Sequence, residues 1–129
     1  MSPEISADSS ERVQIVHISA GQPPFQVEAS VMGLGREYVI TAGEGPGEGR
    51  SVATAASTQG GIDLQLLAQS GMMLDSLAGE AASQLANDLH ATVTFSLGLP
   101  VDDLPQEDLD LLKASLRRLV REIGASLQA

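Results

Sequence analysis

Apolar positions along the chain change period several times, and each change marks an element. In Arg12–Ser19 (RVQIVHIS), Val13 and Ile15 fall on one side of an extended segment and Val16 and Ile18 on the other. Apolar groups on both faces are the pattern of a central strand. After Gly21, Pro23 and Pro24, which make a turn, Phe25, Val27, Ala29 and Val31 alternate with Gln26, Glu28, Ser30 and Met32. That period of two predicts a half-buried strand. Gly33-Leu34-Gly35 reads as a hairpin turn into Glu37–Ala42 (EYVITA), so these two strands should pair antiparallel. Val52–Ser57 (VATAAS) is small and weakly apolar, which suggests a strand at an edge. Gln59-Gly60-Gly61 breaks it, and Ile62–Leu67 is either a short strand or an extended connection.

The period then becomes helical. Leu74, Leu77, Ala78, Ala81, Leu85 and Leu89 recur at intervals of three and four, predicting a helix from about Asp75 to Leu89 with Asp75 or Ser76 as its cap. Val93, Phe95 and Leu97 alternate with Thr92, Thr94 and Ser96, so Ala91–Leu97 is a strand ended by Gly98 and Pro100. A second helix follows. Asp103 can cap it, Pro105 suits its first turn, and Glu107 and Asp108 lie where the helix dipole favours acids. Its apolar stripe is Leu109, Leu112, Leu116, Leu119, Val120, Ile123 and Leu127. Strands first, then helix, strand and helix, predict an α+β fold: an antiparallel β-sheet or sandwich of about six strands flanked by two α-helices, which cover one sheet face.

The length of 129 residues suits one domain with one core. Residues 1–11 are polar and acidic, unlike a secretory or transit signal, and are expected to form a disordered tail ahead of a single domain over 12–129. No apolar run reaches the length of about 18 residues that a membrane span needs. With no cysteine, disulfides, thiolate metal sites and thiol catalysis are ruled out, and the cytoplasm or nucleus is the expected location. The net charge of −10 disfavours nucleic acid. The bases are unevenly placed, with Lys113, Arg117, Arg118 and Arg121 together on the second helix. Phe25, Tyr38 and Phe95 are the only aromatic residues, too few for base- or sugar-stacking platforms.

No motif supplies a reactive kit. In GEGPGEGRS, Glu44 occupies the first glycine position of a phosphate loop and Arg50 replaces its lysine. GLGREY has Tyr38 where a dinucleotide fingerprint has its third glycine, and it leads into a strand. His17 and His90 are unpaired in sequence and read as ordinary surface or satisfied core residues. The acids Asp102, Asp103, Glu107, Asp108 and Asp110 lack the spacing and turn glycine of a calcium loop. Met72-Met73-Leu74, after a turn at Gln69–Gly71, is either a core lid or an adaptable partner surface. Leu97, Leu99, Val101 and Leu104 pose the same alternative.

In order and spacing, VQIVHIS, FQVEASVMGLGREYVITAG, SVATAAS, LQLLAQSG, SLAGEAASQLAND, ATVTFSLGL and LLKASLRRLVREI resemble the proteasome assembly chaperone 4 family over about residues 12–124. The sister chaperone 3 family is similar. The chain departs from the pattern at Ala68, where the family often has glycine, and in the Gly43–Gly49 loop. The resemblance implies a non-catalytic protein with no cofactor. It would pair with a related, chaperone 3-like partner, or with itself in isolation, and help α-subunits of the 20S core particle form a ring. Candidate partner contacts are then Met72, Met73 and Leu74, the Gly43–Arg50 loop with Arg50, and the basic residues Arg117, Arg118 and Arg121. A small-ligand-binding or regulatory α+β domain is the alternative, and it calls for a deep apolar pocket.

Overall fold

A computed structural model describes residues 13–43, 50–101 and 104–128. Six strands form one sheet: β1 (Val13–Ala20), β2 (Val27–Leu34), β3 (Glu37–Gly43), β4 (Ser51–Thr58), β5 (Gly61–Ala68) and β6 (Thr92–Gly98). Among the described residues there are two helices, α1 (Met72–Leu89) and α2 (Gln106–Gln128). The spatial order is β1-β2-β3-β6-β4-β5. The chain lays down an antiparallel meander of three strands and then a separate β4–β5 hairpin. It returns along α1 and inserts β6 between the two pieces. That return makes β3 and β6 parallel, whereas every other pairing is antiparallel. The α+β expectation holds, as one open sheet with both helices on one face.

Two strand placements invert the sequence reading. β1 is an edge strand, although apolar residues lie on both its faces. Val16 and Ile18 pair with Val31 and Ala29 and pack against the core, while Ile15 faces the other way. β4, expected at an edge, is interior. Its small residues Ala53 and Ala55 are fully buried, and α1, which packs on β4, fully buries Ala78, Ala82 and Ala86 of its own. Small side chains on both elements bring helix and strand backbones close, and the interior packs densely at that short distance. Residues 62–67 are settled as strand β5.

Helix α1 begins at Met72, three residues before the expected start, with Gly71 at its N-cap. Asp75 is inside its first turn. Its carboxylate accepts from the buried Ser51 hydroxyl (2.5 Å) and the Ser70 amide (3.0 Å), which ties the helix start to β4. These bonds, the Ser51 bond foremost, hold the Asp75 carboxyl below its usual range. His90 ends the helix in the left-handed conformation (φ 50°), and its amide bonds the Ala86 carbonyl. Asp103, the expected cap of α2, lies outside the described residues, as do the tail at 1–11 and loop positions 44–49.

The core sits between the helices and one sheet face. Phe95, Ile40, Leu85, Leu97, Leu119, Ile123, Val27, Val31 and Val93 have almost no exposed surface. Leu97, Leu99 and Val101 are buried and Leu104 packs against them, so this run belongs to the core. α1 covers β4 and β6, while α2 lies over β1 and β2. The two helices run parallel: Arg117 faces Glu80, Gly124 faces Leu85, and the Gln128 amide bonds the Asp88 carbonyl at 2.8 Å.

Candidate interaction surface

Strand alternation sends every second side chain to the face the helices leave open. Register then places these side chains in rows. One row runs Ile15, Met32, Val39, Thr94, Thr54, Gln65 from one edge of the sheet to the other. Its first three members are large and apolar, and they are 66%, 54% and 50% exposed. Leu34, two positions along β2 from Met32, is 53% exposed. Four large apolar side chains on three adjacent strands thus make one patch, with Glu28 and Glu37 exposed on the same face. A contiguous greasy patch with a polar border marks an interaction site.

The rest of this face is hydroxyl-rich. Thr54 and Thr94 bond each other across β4 and β6 (3.1 Å), and Ser30 bonds His17 Nδ1 across β1 and β2 (3.0 Å). His17 is therefore an exposed cross-strand partner on the open face. Arg50 stands at the end of the face nearest Gly43. Its Nε donates to Ser96 Oγ (2.9 Å), and its Nη2 donates to the carbonyls of Ala42 (2.6 Å) and Ser96 (3.2 Å). The guanidinium fastens the ends of β3 and β6 together. Gly43, with φ +115°, lies where a Cβ would run into the Gly98 carbonyl, so no other residue fits that crossing without moving the backbone.

The other candidate contacts scatter. Leu74 is in the core, 4% exposed, so its reading as a partner contact is corrected. Met72 is 91% exposed and Met73 is partly so. They adjoin the β5 edge, where Leu64, Leu66 and Leu67 also show apolar surface. Leu64 points toward the helix side, 3.3 Å from where a Cβ on Gly79 would stand. Arg117, Arg118 and Arg121 are exposed on α2, on the far side of the molecule from the open sheet face. Arg117 makes a long ion pair with Glu80 (3.8 Å) and Arg118 one with Glu122 (3.5 Å), both solvent-exposed and hence weak.

The apolar patch is invisible in any one strand's alternation, because Ile15, Met32, Leu34 and Val39 lie on three strands. Met32 falls on the polar side of its strand's alternation, and Leu34 in the Gly33–Gly35 segment that reads as a turn. The available signal was the run of large apolar residues at outward positions on successive strands.

Among the described residues, no three His, Asp or Glu side chains gather where a metal could sit, and no helix is long and apolar enough to cross a membrane. The surface between α1 and α2 carries a solvent-open groove of about 260 Å³.

A chain in a crystal structure of a chaperone complex for yeast 20S proteasome assembly superposes with a TM-score of 0.66, over 91% of this chain and 96% of that one. The two share a fold. They are 12% identical, so the likeness lies in topology and layering and not in side chains. No family model matches the sequence, and no curated protein matches it.

Proposed function

We propose that this protein is a non-catalytic assembly chaperone. It pairs through its open sheet face with a second chaperone of the same fold, and the pair promotes formation of the 20S proteasome α-ring in the cytoplasm or nucleus. The observation that carries the reading is the apolar patch of Ile15, Met32, Leu34 and Val39 on a sheet face that no helix covers. Burying such a patch against a matching sheet supplies the driving force for association, and sheets stack face to face at about 10 Å to form a sandwich with helices outside. The shared fold with a chain of a proteasome-assembly chaperone complex supports the choice of partner class, as does the sequence resemblance to the chaperone 4 family. Charge fits as well: a chain of net charge −10 gains more from a differently charged relative than from its own copy.

Mixing the purified protein with a chaperone 3-like relative and with proteasome α-subunits, followed by size exclusion, tests the reading. Co-elution with the relative, and of the pair with an α-subunit, is expected. Separate elution of every component would remove the proposal.

A further inference from the structure

The helix layer carries a second feature, on the side of the molecule opposite the patch. Parallel packing of α1 and α2 leaves the 260 Å³ groove floored by Leu77, Ala81, Leu116 and Val120. Ala81 is the smallest side chain of the groove's lining. One wall presents Arg117 and Arg121, a turn apart on α2. The other presents Glu80 and Gln84, a turn apart on α1. Arg121 makes no ion pair among the described residues, and the Arg117–Glu80 bridge across the groove is long and exposed. Lys113, Arg117, Arg118 and Arg121 are four of the seven basic residues in a chain with 17 acids. Glu107, Asp108, Asp110 and Glu122 share the helix, and Arg118 pairs with Glu122, so the cationic character lies on the groove wall at Arg117 and Arg121.

We propose that the groove docks an acidic amphipathic segment of a partner protein, setting an apolar side chain on Ala81 and Leu116 and carboxylates against Arg117 and Arg121. An apolar floor with a cationic wall is the complement of a helix that carries leucines on one stripe and acids beside it. Arginine suits this wall because its planar fork takes a carboxylate with two bonds. The incoming carboxylate replaces the weak Glu80 contact to Arg117, so little is lost on binding. The inference rests on reading the protein as one that acts through partners, but it uses a face separate from the pairing patch.

The test is fluorescence anisotropy on the full-length protein with a labelled helical peptide of about 15 residues, leucine at three- and four-residue spacing and glutamate elsewhere. A matched peptide carrying lysine in place of glutamate is the control. The glutamate peptide should bind and the lysine peptide should not. Arg117→Glu with Arg121→Glu should weaken binding at least roughly tenfold, and Ala81→Leu, which fills the floor without changing charge, should do the same. Melting curves close to wild type establish that each variant is folded. Equal binding of both peptides, or wild-type affinity in the charge-reversed variant, would overturn the proposal. So would a change in the sedimentation of the variant alone, since that would make a second copy of the chain the occupant. Pairing with the chaperone relative, measured on the same samples, separates the two readings: intact pairing without peptide binding sinks this inference only, and lost pairing with peptide binding sinks only the other.

Discussion

The two faces of the sheet are built from the same strands with the same alternation, yet they end in opposite states. Under the helices, Val27, Val31, Ile40, Val93, Phe95 and Leu97 are sealed. On the other side, Ile15, Met32, Leu34 and Val39 are at least half exposed, and the other outward positions are mostly polar, among them His17, Glu28, Ser30, Glu37, Thr94, Ser96, Thr54 and Gln65. A solvated sheet face ordinarily carries polar residues throughout. Here β6 obeys that rule with Thr92, Thr94 and Ser96, β4 mixes Thr54 with the smaller Val52 and Ala56, and the β1–β3 end breaks it with large apolar side chains. The difference separates residues that hold the monomer together from residues that the monomer does not need. The second class is where a partner surface is to be sought.

The widest gap between the faces is in stability. Phe95→Ala, in the sealed layer, should cost about 3–5 kcal/mol by chemical denaturation, enough to unfold much of a marginally stable domain. Val39→Ala, its neighbour on the open face of the adjacent strand, should change stability by less than about 1 kcal/mol. Equal losses at the two positions would erase the distinction. The converse experiment reads association. Met32→Asp with Val39→Asp should weaken pairing with a chaperone relative by about 2 kcal/mol or more, roughly 30-fold, with the melting temperature nearly unchanged.

Smaller effects probe what joins the two faces. Arg50→Ala removes one donor from each of the Ala42 and Ser96 carbonyls and the bond to the Ser96 hydroxyl, and a cost of about 1–3 kcal/mol in denaturant unfolding is expected. His90→Gly relieves a left-handed conformation at the end of α1 and should stabilise by about 0.5–1 kcal/mol. Asp75 gives a pH signature. Its folded pKa is depressed by the Ser51 and Ser70 bonds, so its stabilising effect is present above the ordinary carboxyl value of 3.8 and is lost as pH falls through the lower folded value. The melting-temperature gap between wild type and Asp75→Asn should be constant near neutrality and close in acid. A gap that widened in acid would contradict the assignment.

Much of this fold was legible from period alone. The stripe Leu109, Leu112, Leu116, Leu119, Val120, Ile123 is the buried face of α2, and Val93, Phe95 and Leu97 fill the centre of the sheet. What misled was the equation of greasiness with centrality. β1 carries apolar residues on both sides because one side meets α2 and the other forms the open patch, not because strands flank it. β4 is poor in large side chains because α1 lies so near it, not because it stands at the edge. The parallel β3–β6 pair has no local signature at all, since it arises from the chain returning after a hairpin and a helix. Of the candidate contacts, Met72 and the arginines of α2 are exposed, Leu74 is core, and Arg50 is bound into the sheet. The patch itself needed register, because its members lie on three strands and become neighbours only when Ile15 pairs with Met32 and Met32 with Val39.

The chain's four methionines allow the decisive measurement. Met32 lies within the patch, whereas Met72 and Met73 sit by the β5 edge. With the methionine methyl groups carbon-13 labelled, a chaperone relative of the same fold is titrated in and the methyl spectrum is followed. The Met32 methyl should shift and broaden at saturation while those of Met72 and Met73 hold their positions. A complex that forms with the Met32 signal unmoved would contradict it.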